Sequence, residues 1–255
     1  MSDFDFVICI PARYQSSRLP GKPLIKLNGK ELILRAVESA HRLGAREVTV
    51  ATDDMRIATC VREQGYDAVM TNPGHATGTD RIAECADIKQ WDNDTWVLNF
   101  QGDEPDIPRQ NVEQVLQLVE KNPEAVMGTL YQPITELDDV FDPNVVKVVL
   151  NDKNRALYFS RAPIPWSQAH FNHQAKRMPN QEIYKRHIGL YVYKVSFLHR
   201  FSDLPAAELE QCESLEQLRA LASGEQIVVA RAVTDMPHGI DTAEDVMRFE
   251  QRNKP

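Results

Sequence analysis

FDFVICIPARYQSSRLPGKPLIK (4–26) is the stretch whose reading decides the fold. Its first seven residues, FDFVICI (4–10), form a nearly continuous apolar run, the pattern of a strand buried on both faces of a parallel sheet. The loop that follows carries prolines at 11, 20 and 23, which exclude a regular helix. Between Phe6 and Lys30 there is no acidic residue, yet Arg13, Arg18, Lys22, Lys26 and Lys30 all fall there. A basic, proline-stiffened loop at the carboxyl end of a buried strand reads as an anion site, because open parallel sheets bind ligands at that edge. A merely solvated basic loop is the bland alternative.

Outward from this stretch, strands and helices alternate. ELILRAVESAHRLG (31–44) has helical apolar spacing and stops at Gly44; REVTVAT (46–52) is a strand, followed by a helix over about 55–64 and a short strand at 67–70. A helix over about 80–89, the strand TWVLNF (95–100), the helix QNVEQVLQLVEK (110–121) and a strand at 125–132 continue the series. VVKVVL (145–150) and ALYFS (156–160) read as a hairpin, IGLYVYKV (188–195) as a strand, and 208–224 as one acidic helix. QIVVARAV (226–233) is a late strand, and the last helix covers 242–252 with Thr242 as its N-cap. The alternation predicts an α/β fold: a doubly wound, mostly parallel, three-layer Rossmann-like sheet. One domain over 1–255 is expected, with an insert-like region at about 165–200 whose polar part spans 167–186.

Composition removes several classes. With 255 residues, 42% hydrophobic and 26% charged, the chain matches an ordinary globular protein. No apolar run approaches the roughly 20 residues of a bilayer crossing, so no membrane span is expected. The start, MSDFDFVICIPAR, lacks a basic signal-peptide region and reads as the first strand of a cytoplasmic protein. A net charge of -8 disfavours nucleic acid as a partner. The four cysteines, at 9, 60, 85 and 212, form no CxxC pair and read as inert thiols. Nor is there a covalent triad or a metal-binding HExxH among the histidines.

Which phosphate motif the loop carries is narrowed by what it lacks. Gly21 and Lys22 invite a P-loop reading, but Ser16 and Pro23 stand where the first glycine and the terminal hydroxyl residue belong. No GxGxxG follows the strand, so a dinucleotide site is not indicated. Backbone amides around Gly21 remain able to approach phosphate oxygens, with Arg13, Arg18 and Lys22 supplying charge.

PARYQSSRLPGKPL is followed in order by GTDR (78–81), NFQGDEP (99–105), NVVKVVL (144–150), ALYFSRAPIPW (156–166), RHIGLYVY (186–193), QCESLEQLR (211–219) and GIDTAED (239–245). The set resembles the 3-deoxy-manno-octulosonate cytidylyltransferases, the CMP-Kdo synthetases of lipopolysaccharide biosynthesis, over essentially the whole chain. The first motif is shared with other nucleotidyltransferases; YFSRAPIPW, RHIGLY and SLEQLR are more specific. The resemblance implies a nucleotidyltransferase-like fold with a small excursion used for dimerisation and sugar binding. It implies transfer from CTP to a sugar acid with loss of pyrophosphate, a magnesium cofactor and a homodimer.

Residue by residue, the resemblance implies Lys22, Asp103 and Asp241 as catalytic, with Asp103 and Asp241 holding the metal. Arg13, Arg18, Lys22, Arg81 and Gln101 are implied on the nucleotide, and Arg161, His187, Tyr191, Glu216 and Gln217 on the sugar acid. An arginine suits a carboxylate, and a glutamine amide suits a base or ribose edge. Each has a plainer alternative: a turn aspartate bonding its own backbone for Asp103, a helix-start carboxylate for Asp241, a surface charge for Arg81, a solvated helix face for Glu216. Tyr191, alternating with Leu190 and Val192, implies one strand face turned to solvent or ligand.

Other readings stay open at this level: the same reaction on the 8-amino analogue, a glycosyltransferase on a similar sheet, or a non-catalytic nucleotide-binding module. QGDEP carries one aspartate where such glycosyltransferases place DxD, and the basic loop suits a triphosphate better than a diphosphate-sugar.

Overall fold

A computed structural model describes residues 4–15, 19–171, 178–179, 183–237 and 239–252. Arg18, implied on the nucleotide, lies outside them. The chain forms two compact units, one of 1–112, 192–202 and 236–255, the other of 113–191 and 203–235.

The first unit is built on the strand read from FDFVICI. β1 (Phe6–Ala12) is followed by a single 3₁₀ turn (Lys22–Leu24), a tight hairpin of β2 (Lys26–Leu27) and β3 (Lys30–Glu31), and helix α1 (Leu32–His41). Then come β4 (Glu47–Thr52), α2 (Met55–Glu63), β5 (Asp67–Met70), α3 (Gly78–Lys89) and β6 (Trp96–Asn99). β1 pairs in parallel with β4 on one side and β6 on the other, and β5 extends the sheet beyond β4, giving the order β6-β1-β4-β5. Val7, Ile8, Cys9 and Ile10 alternate faces yet are all at 0% exposure, so both faces of β1 are covered. Each such Val or Ile contributes about 1.5–3 kcal/mol on burial, which is what anchors the loop that β1 carries. The doubly wound α/β reading holds here.

α3 begins at Gly78 rather than 80, because a reciprocal cap starts it: Asp80 N donates to Thr77 Oγ1 and Thr77 N donates to Asp80 Oδ2, both at 3.1 Å. α4 (Arg109–Glu120) then leads along the chain toward the second unit.

In the second unit β7 (Met127–Pro133) and a short helix α5 (Leu137–Phe141) precede the expected hairpin, β8 (Lys147–Leu150) with β9 (Ala156–Ser160). β10 (Lys185–Lys194) pairs antiparallel with β8 at Arg186, and α6 (Val195–Asp203) follows it. α7 (Glu208–Glu213), α8 (Gln217–Ala222) and β11 (Ile227–Arg231) come next, β11 parallel to β7, before α9 (Ala243–Arg252) returns to the first unit.

Three expectations need correction. The helix read over 208–224 is two helices, broken at Ser214, whose φ of 52° is left-handed. Glu210 turns inward to a buried pair with Arg219 at 2.6 Å, and that contact folds α8 back on α7. Leu190, Tyr191 and Val192 are all buried, so β10 turns neither face of this stretch to solvent. The excursion over 167–186 is not uniformly polar in role: Phe171 and Tyr184 pack into a core with Ile134, Val140 and Val145. Within that excursion, 172–177 and 180–182 lie outside the described residues. Among those described, no helix is long and apolar enough to cross a membrane.

Candidate active site

The loop after β1 is shaped by Gly21. Its φ of 68° is left-handed, and an added Cβ would sit 3.1 Å from the Tyr14 hydroxyl. Gly21 N donates to Tyr14 O at 3.1 Å, and the Arg56 guanidinium lies 3.4 Å over the Tyr14 ring, fixing the loop's outset. The turn at Lys22–Leu24 then aims the Lys22 side chain back across the end of β1.

Two carboxylates meet it there. Lys22 Nζ donates to Asp103 Oδ2 at 2.5 Å and to Asp241 Oδ1 at 2.8 Å. The Lys22 side chain is only 12% exposed, against 34% and 40% for the aspartates, so the ammonium sits beneath a pair of carboxylates open to solvent. Asp103 is held by the turn after β6, where Glu104 N donates to Gln101 O, and Ile240 N donates to Asp103 O at 2.9 Å, bringing Asp241 alongside.

Asp241 itself does not cap α9. That task falls to Asp245, which accepts from the amides of Asp241 and Thr242 while its own amide donates to Thr242 Oγ1. Burial would raise the Asp245 pKa, but the Thr242 hydroxyl, those amides and Arg248 together hold it below the ordinary value. With the cap satisfied by Asp245 and Thr242, the Asp241 side chain is turned to Lys22. The turn alternative for Asp103 and the helix-start alternative for Asp241 both give way to this ion-paired arrangement.

A cavity of about 360 Å³ opens over the trio, lined also by Arg13, Gln15, Gln101 and Gly102. Arg13 Nη1 reaches Ala76 O at 3.4 Å, and Gln101 Nε2 donates to Asn99 Oδ1 at 3.3 Å. Arg81 is not a surface charge. Its side chain is fully buried, bonded to Thr71 Oγ1 and, at 3.0 Å, to Asp53 Oδ2, while its Nε meets no partner among the described residues. Burial draws its pKa down and the Asp53 charge opposes this.

The five residues implied on the sugar lie in the second unit. The Arg161 guanidinium donates to Glu213 O at 2.7 Å and Pro143 O at 2.8 Å, and so spends donors on carbonyls at the end of α7 and before β8. His187 N donates to Val146 O, and its ring lies 5.1 Å from that of Tyr191. Burial pushes the His187 pKa down to about 3, so the imidazole is neutral at neutral pH. Glu216 stands at the head of α8, half-buried, and Gln217 is buried.

Sequence reasoning passed over Lys147 and Thr129. Lys147 is fully buried in β8 with Nζ donating to Asp142 O and Arg161 O; a lysine inside NVVKVVL was the available signal. Thr129, within β7, carried no signal at all.

A family model described as Cytidylyltransferase matches residues 7–227. The chain is 47% identical, over 97% of its length and 96% of the relative's, to 3-deoxy-manno-octulosonate cytidylyltransferase of Xanthomonas euvesicatoria. It is 49% identical, over 96% of both chains, to the enzyme of that name from Stenotrophomonas maltophilia.

The chain belongs to the 3-deoxy-manno-octulosonate cytidylyltransferase family.

A solved structure, that of CMP:2-keto-3-deoxy-manno-octonic acid synthetase complexed with CTP, superposes at a TM-score of 0.86 with 39% identity, covering 97% of this chain and 98% of that one. The nucleotidyltransferase-like α/β fold expected from the sequence is therefore that of this synthetase.

Proposed function

We propose that this chain joins CTP and 3-deoxy-manno-octulosonate (Kdo) to give CMP-Kdo and pyrophosphate, a step of lipopolysaccharide biosynthesis in the cytoplasm. The observation that carries the reading is Lys22 bonded to both Asp103 and Asp241 at the floor of a cavity, in a chain of this family. The anomeric oxygen of the sugar bonds to the α-phosphorus while the bond from that phosphorus to the bridging oxygen breaks; the pair goes to pyrophosphate and the hydroxyl proton is lost. Lys22 and Arg13 neutralise the triphosphate, and their benefit grows as charge builds on the leaving group. Gln101 offers an amide to base or ribose.

Magnesium suits the donor set. Among the described residues no three His, Cys, Asp or Glu side chains gather to hold a metal alone. Two carboxylates facing a triphosphate are the arrangement magnesium favours, since it binds through one or two carboxylates plus phosphate oxygens. Asp103 and Asp241 would hold it, and when bound it supplies Lewis-acid neutralisation of phosphate.

Arg161, His187, Tyr191, Glu216 and Gln217 are proposed for the sugar acid, and the protein is proposed to act as a homodimer. Incubating pure protein with CTP, Kdo and magnesium, and identifying products by phosphorus NMR, tests the reading: pyrophosphate and a cytidine monophosphate-sugar are expected in equal amounts. Product from the 8-amino analogue alone would redirect the substrate, and no product with nucleotide still bound would refute the enzyme reading. Light scattering at micromolar protein should give the dimer mass; a monomer would refute that part.

A further inference from the structure

The surroundings of Thr129 fix a proton. Its Oγ1 lies 2.9 Å from Ile188 O, 2.9 Å from Leu190 O and 3.1 Å from His187 Nε2. A hydroxyl has one proton to donate and lone pairs to accept with. The two carbonyls are acceptors only, so the proton must point toward them. Aimed at the imidazole instead, it would leave two carbonyl oxygens facing hydroxyl lone pairs at hydrogen-bond distance. The remaining capacity of Oγ1 is to accept, and His187 Nε2 is its partner. Nε2 must therefore carry hydrogen.

The ring is further held by Phe159, edge-on at 5.0 Å, and by Tyr191. Nδ1 has no hydrogen-bond partner among the described residues. A neutral imidazole protonated at Nε2 presents Nδ1 as an acceptor, a group suited to a hydroxyl and unsuited to a carbonyl or carboxylate.

We propose that Thr129 is a positioning residue that fixes His187 as the Nε2–H tautomer, so that Nδ1 accepts a hydrogen bond from a hydroxyl of the sugar acid. This rests on the reading that His187 meets the sugar, and it adds which atom does so and what sets it. The carboxylate of the sugar is then a task for cations, not for His187.

The test is long-range proton–nitrogen NMR of the full-length protein with labelled histidine, His187 being assigned through His187→Asn. The wild type should show the Nε2–H pattern. Thr129→Ser should keep it, and Thr129→Val should shift it toward a mixture of tautomers while raising KM for Kdo about tenfold and leaving KM for CTP within about twofold. An Nδ1–H pattern in the wild type overturns the proposal even if the valine variant fails to fold. So does a pattern unchanged in folded Thr129→Val. If the tautomer behaves as stated but adding Kdo with CTP leaves the Nδ1 resonance unmoved, the role of Thr129 stands and the contact between His187 and sugar is overturned.

Discussion

Lys22 and Asp103, 81 positions apart in the chain, meet at 2.5 Å, and the ammonium of Lys22 is the more buried partner. An ammonium between two carboxylates stands where a divalent ion would also be attracted. On the proposed function, Lys22 would both serve the triphosphate and compete with metal in the free protein.

Replacing the lysine separates these effects. Lys22→Met should lower kcat/KM by about 10²–10³-fold, as loss of one preorganised charge does. The same variant without nucleotide should bind manganese about tenfold tighter than wild type, read by the paramagnetic resonance of free ion, because the competing cation has gone. Equal manganese binding in the two proteins would refute the competition.

Gly128 supplies a packing test. A Cβ there would lie 2.5 Å from Val119 Cγ1, so β7 passes directly beneath α4 with no room for a methyl group. Gly128→Ala should cost about 1–3 kcal/mol of stability by overpacking. Adding Val119→Ala should recover part of that loss in urea unfolding. If the double variant is less stable than the sum of the single changes, the close contact is not the cause.

His187 gives a pH dependence with a definite sign. Its folded pKa of about 3 lies below the ordinary 6.5, so between these values the unfolded chain binds the extra proton. Stability contributed by the neutral ring is whole above about pH 6.5 and is lost as pH falls toward 3, at no more than about 1.4 kcal/mol per pH unit. Unfolding free energies of wild type and His187→Asn between pH 7 and 4.5 should converge as pH falls; parallel curves would contradict the shift.

How much of this was legible beforehand depends on range. β1 could be read because its apolar run is unbroken from Phe6 to Ile10, and Thr242 because a cap is a local device. Lys22, Asp103 and Asp241 were identified from the family resemblance, but their joint bonding was not visible in residues separated by 81 and 219 positions. The break at Ser214 escaped because ELEQCESLEQLRALASG holds no proline or internal glycine before its end, and local propensity reads straight through it. What breaks it is tertiary: Glu210 turned inward to Arg219, and Arg161 taking the Glu213 carbonyl. Of the solvent-or-ligand face expected at Tyr191, the solvent half failed for the same reason, since alternation along a strand cannot say whether both faces are covered.

The measurement that bears most directly on the carboxylate pair is pyrophosphate release by wild type, Asp103→Asn and Asp241→Asn at saturating CTP, Kdo and magnesium. The wild type should turn over, and each variant, with melting behaviour intact, should fall by about 10³-fold or more. Near-normal release from either folded variant would contradict the assignment of that carboxylate, and near-normal release from both would remove the basis of the site.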